Sequence, residues 1–349
     1  MDLEDRFDEL VFQLFRAEGF HAESKAGPPA GLRWSPHLLI RSRTGATAVG
    51  GTHIFRSRTM PAHALRSSAL QAEYMRRAWP AERGILVIGN KVESRVHSEV
   101  KSLFPNLLIY DIDNLAFLVS KHPALGSTFE DITREALPFS EVAVPQPLET
   151  NMELDISSPL TPPACLPTIL KETKGSDLCK EINAIPMGRA DAEKFEEKMI
   201  EALRYIFDKD LTAWSPQKPS DTKLSFYDLV VRVASEHDFW NAIVSQFRSR
   251  YIVFEFKNYG AKIKQTQIYT TEKYLFCTAL RSMAIIISRN GADKNALAAA
   301  RSVLRDSGKL LVNLDIQDLC DMLHRKENGD DHNSILVERV DDMLMRLER

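Results

Sequence analysis

One order of elements occurs twice in this chain, and that recurrence limits what it can fold into. In each half a helical pattern comes first, then strands, then apolar runs alternating with further helical patterns. Residues 84–88 (Gly84-Ile85-Leu86-Val87-Ile88) answer to residues 282–287, and residues 107–115 answer to residues 310–319. Arg6-Phe7-Asp8-Glu9 answers to Lys194-Phe195-Glu196-Glu197. Short apolar runs bounded by glycine or polar residues fit strands buried on both faces, and their alternation with helices predicts an α/β fold. Two unrelated α/β domains with the same element order are the competing explanation. Duplication accounts for more of the matches.

In the first half, Phe7, Leu10, Val11 and Leu14 fall on one face of a helix over 5–18, with Gly19 as its stop. A Pro/Gly loop at 27–31 follows, then strands near 38–40 and 46–55, a helix over 62–81, a strand at 84–88, a helix over 93–103, a strand at 106–111 and a last helix from 113. In the second half, Phe195, Met199, Ala202, Leu203 and Ile206 line a helix from 191. A polar loop containing Ser215-Pro216 and Lys218-Pro219 leads to a strand over 227–233, a helix over 239–247 and a strand over 251–257. A long helix over 263–279, strands at 284–288 and 309–314, and helices over 293–306, 316–323 and 335–348 complete the pattern. Between the halves, Pro138, Pro145, Pro147, Pro159, Pro162, Pro163 and Pro167 break up residues 138–187. That stretch is predicted to be an extended connector, partly packed on a domain surface.

The strand at 251–257 carries an anomaly. Side chains alternate faces along a strand. Ile252, Phe254 and Phe256 share one face, while Glu255 and Lys257 share the other with Val253. A carboxylate and an ammonium thus project from a strand that otherwise belongs inside, and burying unpaired charge is costly. Asp228 stands in a second apolar strand, and a helix and loop between the two allow them to lie side by side. Asp228, Glu255 and Lys257 would then converge. Two carboxylates with a few waters suit Mg²⁺, with Mn²⁺ as the alternative, and a lysine beside them suits phosphodiester hydrolysis. A structural salt bridge is the plainer explanation of the Glu255–Lys257 pair.

Asp228 followed by Glu255-Phe256-Lys257, behind a helix carrying Phe195-Glu196, resembles the PD-(D/E)xK nuclease superfamily, the restriction-endonuclease-like fold, in its Mrr-like branch. Asn258-Tyr259 after the motif, and Gln265 and Gln267 opening the next helix, extend the resemblance over most of the second half. Tyr227 replaces the proline that precedes the aspartate in that pattern. The resemblance implies two such domains, each a central mixed β-sheet flanked by helices. Residues 1–137 would be a degenerate copy, 138–187 the linker and 188–349 the catalytic domain. In the first half His37 falls where Asp228 stands, Gly51 where Glu255 stands and His53 where Lys257 stands.

On that resemblance Asp228, Glu255, Lys257 and Gln267 are the expected catalytic groups, and Asp228, Glu255 and Glu196 the expected ligands of Mg²⁺ or Mn²⁺. Arg248, Arg250, Lys262, Lys264 and Lys273 are candidate phosphate contacts, and Arg56, Arg58, Arg66, Arg76 and Arg77 are dense enough for a cationic face in the first half. His237-Asp238 looks like a dyad, but its position predicts a helix start with Asp238 near the N-cap. The implied activity is endonucleolytic, on DNA with RNA as a further option, in prokaryotic defence, restriction or repair. With one site per chain, duplex cutting would call for a homodimer or a partner in a defence complex. A non-catalytic nucleic-acid-binding or scaffold subunit is the alternative.

Composition narrows the setting. The chain has 349 residues, enough for two cores, with a net charge of −3 that argues against a generally basic coat. No apolar run approaches a bilayer span, and the acidic start Met1-Asp2-Leu3-Glu4-Asp5 is unlike a secretory signal. Cys165, Cys179, Cys277 and Cys320 have no metal-ligand spacing. They predict a reducing cytoplasm, no disulfide frame, and Cys277 and Cys320 as small core residues.

Overall fold

A computed structural model describes residues 3–23, 36–136, 143–148, 151–158, 173–216, 227–235 and 237–347. The loop at 27–31, Lys218-Pro219, Cys165 and the connector prolines Pro138, Pro159, Pro162, Pro163 and Pro167 lie outside the described residues. The chain divides into two units, Met1–Leu170 and Lys171–Arg349.

In the first unit, α1 (Leu3–Ala17) precedes β1 (His21–Glu23), β2 (Leu38–Arg41), β3 (Thr47–His53), α2 (Ala62–Ala78), β4 (Arg83–Ile88), α3 (Ser94–Leu103), β5 (Leu107–Tyr110), α4 (Ile112–Lys121), α5 (Gly126–Ala136) and α6 (Met152–Ser157). The five strands lie in chain order: β1–β2 and β2–β3 are antiparallel, β3–β4 and β4–β5 parallel. Every residue of β4 is buried, as its unbroken apolar run requires of a strand covered on both faces. Apolar residues of α1, α4, α5 and α6 form one core with β2, while α2 and α3 close another over β4 and β5.

In the second unit the order is α7 (Lys174–Ala184), α8 (Ala192–Ile206), β6 (Leu211–Pro216), β7 (Leu229–Val233), α9 (Asp238–Ser245), β8 (Tyr251–Lys257), α10 (Gln265–Glu272), β9 (Met283–Ser288), α11 (Lys294–Ser307), β10 (Leu310–Asp315), α12 (Ile316–Asn328) and α13 (Ser334–Met345). The sheet runs β6-β7-β8-β9-β10, again antiparallel, antiparallel, parallel, parallel. The two sheets therefore share one topology. Each is a mixed sheet flanked by helices.

Strand registers fix the correspondence residue by residue. Leu38 pairs with Gly50 as Leu229 pairs with Phe254. Gly50 in turn pairs with Ile85 as Phe254 pairs with Ile285. His37, Gly51 and His53 thus stand at the places of Asp228, Glu255 and Lys257, as the sequence pairing has it. The later strands need a small shift: Gly84 answers to Ala284 and Leu107 to Leu311. An aspartate at or just after the end of each last strand caps the next helix. Asp111 accepts from the Asn114 amide and Asp315 from the Asp318 amide, satisfying helix N–H groups that lack intrahelical partners.

Several elements differ from the sequence expectation. β1 and β6 are edge strands that the sequence does not announce. The first is three residues long, and the second has the exposed, mixed pattern of Leu211-Thr212-Ala213-Trp214-Ser215-Pro216. Pro216 is tolerated there because an edge leaves one side of the backbone unpaired. The long helix expected over 263–279 ends at Glu272, and a short 3-10 turn at Cys277–Ala279 follows. The connector is partly built into the units. Met152 and Ile156 of α6 join the first core, and Leu178 and Ile182 of α7 join the second.

The cysteine reading also needs correcting. Cys179 of α7 and Cys320 of α12 form a disulfide, and Cys277 is exposed instead of filling the core. Helix packing brings Cys179 and Cys320 together across 141 residues, which no spacing rule signals. A bridge of this separation restricts the unfolded chain, and its loss typically costs about 2–4 kcal/mol. Replacing both cysteines by serine, or adding reductant, should lower the opening free energy of the second unit by that order and leave that of the first unit unchanged. Hydrogen exchange resolved by unit is the measurement. An unchanged second unit would contradict the bridge.

Candidate active site

β8 is the middle strand of the second sheet, and six of its seven residues are not exposed. Phe254 and Phe256 face one layer of the core. Glu255 and Lys257 face the other side, with side chains only 8% and 17% exposed. The Lys257 ammonium donates to Glu255 Oε1. Glu255 Oε2 is buried and has no hydrogen-bond partner among the described residues. A buried carboxylate oxygen left bare is costly, and a fold under no other demand avoids it.

Asp228 sits just ahead of β7. The β7–β8 register stops at Leu229, opposite Phe254, and the Phe256 amide donates to Asp228 Oδ2 at 2.6 Å. The aspartate is thereby held at the end of β8 where Glu255 and Lys257 project. Glu196, in the second turn of α8, is half-buried and near enough to exert its charge on Glu255. Three carboxylates and one ammonium thus share one end of the sheet.

The electrostatics follow from that excess of negative charge. Burial pushes the Glu255 carboxyl up to about 7, and the Asp228 charge adds to it against the pull of Lys257. Burial likewise lifts Glu196 to about 7, reinforced by Asp228. Burial raises Asp228 too, against the Phe256 amide and Lys257. Burial alone would lower Lys257, but Glu255 and Asp228 outweigh it and hold the ammonium charged. Carboxylates outnumber the ammonium in this cluster, and an opposite charge placed among them would favour their ionised forms.

The donor set fits a hard divalent ion: carboxylate oxygens only, one of them buried and bare. Among the described residues, no group of three His, Cys, Asp or Glu side chains is already placed around one ion position. Mg²⁺ ordinarily needs only one or two carboxylates and keeps its waters, so Asp228 and Glu255 suffice as protein ligands.

The remaining candidates divide by position. The Gln267 side chain caps its own helix, its Oε1 accepting from the Lys264 amide at 2.9 Å. Lys262 and Lys264 are exposed and follow the end of β8 that carries the site. Arg248 and Arg250 are exposed ahead of the other end of β8, with Arg250 about 17 Å from Glu255 at the usual rise per residue. In the first unit Arg56, Arg66, Arg76 and Arg77 each pair with a glutamate, so they make no free cationic face. A helix does start at Asp238, but His237 is its cap, and His237 faces Asp331 instead of forming a dyad with its neighbour.

Arg289 and Tyr274 at the site escape sequence reasoning, and the sequence marks Asn258 after the motif without revealing what it holds. Asn258 donates to the Pro186 and Gly188 carbonyls, and its own carbonyl accepts from Arg289 Nε at 2.8 Å. Arg289 also donates to the Ile182 and Ile185 carbonyls and stacks on Phe195, next to Glu196. Together they tie the end of α7 to the end of β8. Tyr274 is half-buried, and burial followed by the Glu255 charge keeps its phenol protonated. No sequence signal finds Tyr274, because it lies inside a stretch whose periodicity reads as unbroken helix.

In the first unit the same place is closed. A Cβ built on Gly51 would meet His53 Nε2 at 3.2 Å, so the imidazole lies against the point where the Glu255 side chain leaves the strand in the second unit. Thr52 Oγ1 donates to Asp8, the residue that answers to Glu196.

As pH rises from 4.5 through about 7, Glu196 must ionise against burial and against Asp228, so the folded state loses stability across that window. Glu196→Gln should therefore stabilise the second unit at pH 8 by about 1 kcal/mol, allowing for solvent screening of a half-exposed group, and have no such effect at pH 4.5. Urea unfolding at the two pH values checks this. An equal effect at both would contradict it.

No family model matches the chain, and no solved structure matches it. A putative transposon gamma-delta 80.3 kDa protein of Escherichia coli (strain K12) is 23% identical over 162 residues, which cover 44% of this chain and 22% of that protein. The chain thus spans about a fifth of the length of that relative.

Proposed function

We propose that the second unit is a metal-dependent nuclease that hydrolyses phosphodiester bonds, with Asp228, Glu255 and Lys257 as its working groups. The observation that carries this reading is the convergence of those three with Glu196 at the end of a central strand, around a buried carboxylate oxygen with no partner among the described residues. The sequence resemblance to PD-(D/E)xK nucleases points the same way. DNA is the proposed substrate, and the first unit a pseudo-nuclease domain serving binding or assembly. A role in defence, restriction or repair follows from that resemblance, and a homodimer would be called for only if the substrate were a duplex.

Asp228 and Glu255 are the residues to hold Mg²⁺ or Mn²⁺. When bound, the ion supplies Lewis acidity at a phosphoryl oxygen and acidity to water. Lys257, kept charged by its carboxylate neighbours, binds a non-bridging phosphate oxygen and offsets charge that develops there. Glu196, titrating near 7, is placed to take a proton from an attacking water at neutral pH. Gln267 serves the site indirectly by fixing the start of α10.

Plasmid, linear duplex, single-stranded DNA and RNA incubated with Mg²⁺ or Mn²⁺ should show cleavage that chelator stops. Glu255→Ala and Lys257→Ala should each lower the rate at least about a hundredfold, the order expected for loss of one electrostatic group in a catalytic site. Unchanged cleavage in both variants would remove these residues from the mechanism.

A further inference from the structure

Four side chains make a continuous series of contacts that ends at the carboxylates. The Arg281 guanidinium lies 5.3 Å from the centre of the Phe276 ring and 5.6 Å from that of Tyr227. Tyr227 meets Tyr274 edge-on, with ring centres 6.3 Å apart. Tyr227 directly precedes Asp228, and Tyr274 is close enough to feel the charges of Glu255, Lys257 and Asp228. The far end of the series is open: Phe276 is 49% exposed and Leu280 45%.

The turn that carries these residues is held by its own backbone. Phe276 and Arg281 exchange hydrogen bonds, and the Arg250 and Tyr251 amides both donate to the Leu280 carbonyl. Fixing that turn does not require Phe276 to stay half-exposed. It also does not require bare cations nearby. Arg232 on β7, Arg250 before β8, Lys273 after α10 and Arg281 before β9 have no carboxylate partner among the described residues. An exposed ring, Phe276, leading to two half-buried tyrosines among cations without carboxylate partners offers base faces and phosphates what each needs. A duplex hides its base faces and would use only the cations.

We propose that Phe276, Arg281, Tyr227 and Tyr274 form a base-stacking track leading to the carboxylates, and that the site takes single-stranded nucleic acid. This rests on the nuclease reading above and names its substrate class. The track discriminates strandedness. The sugar is distinguished by the test.

The test uses the full-length protein and three labelled probes of equal length: oligo-dT, oligo-rU and a DNA duplex. Binding is followed by anisotropy without divalent metal, and cleavage separately with Mn²⁺. At least one single strand should bind about tenfold or more tighter than duplex, and preference for one sugar assigns the substrate as DNA or RNA. Phe276→Ala should weaken single-strand binding about tenfold, the scale of losing one stacked base, and leave duplex binding unchanged. Phe276→Tyr should restore it, which separates stacking from misfolding. Glu255→Ala should lose cleavage and keep single-strand binding. Single-strand binding that depends on Phe276, without cleavage of any probe, would support the track and sink the nuclease reading. Cleavage of duplex in preference to both single strands, or equal loss of all binding in Phe276→Ala, would overturn the track and leave the nuclease reading standing.

Discussion

The second unit is organised around charge placed inside a sheet. β8 has strands on both sides and helices over both faces, and it still carries Glu255 and Lys257 near its end. Their attraction is not enough to make the place comfortable. One carboxylate oxygen has no partner among the described residues, and burial with Asp228 alongside raises Glu255 to about 7. Neighbouring structure is committed to holding this arrangement. Asp228 is fixed by a backbone amide of β8 itself, and Asn258 and Arg289 tie the strand end to α7 and α8. Strain of this electrostatic kind clusters at functional sites, because a fold selected for stability alone removes it.

The first unit makes that comparison within one chain. It has the same strand order, the same directions and the same registers through the equivalent of β8. At the three charged places it has His37, Gly51 and His53, and the His53 ring lies against Gly51. The scaffold therefore closes without a buried ion pair there. A salt bridge required by the fold alone does not explain Glu255 and Lys257, because the first unit closes the same sheet without one.

Much of the architecture was legible because apolar runs and helical faces are local. The runs at 84–88 and 284–288 and the face of α8 need no tertiary information to read. Asp228, Glu255 and Lys257 were legible through strand alternation, and the duplication through element order. What was hidden depends on packing. Edge strands β1 and β6 lack a two-sided apolar pattern because only one side is paired. The Cys179–Cys320 bridge joins helices far apart in the chain. The end of α10 at Glu272 is set where the chain turns back to pair Phe276 with Arg281, and that turn also aims Tyr274 at the site.

If the charge cluster is a cation site, a cation must relieve it. A ligand that binds only the folded state raises its stability by mass action. The direct measurement is the melting temperature of the second unit's transition at pH 8 as Mn²⁺ is titrated, in the wild type and in Asp228→Asn with Glu255→Gln. The account predicts a saturable rise in the wild type and none in the double variant. A wild-type transition that Mn²⁺ does not move, or one that moves equally in both proteins, would contradict it.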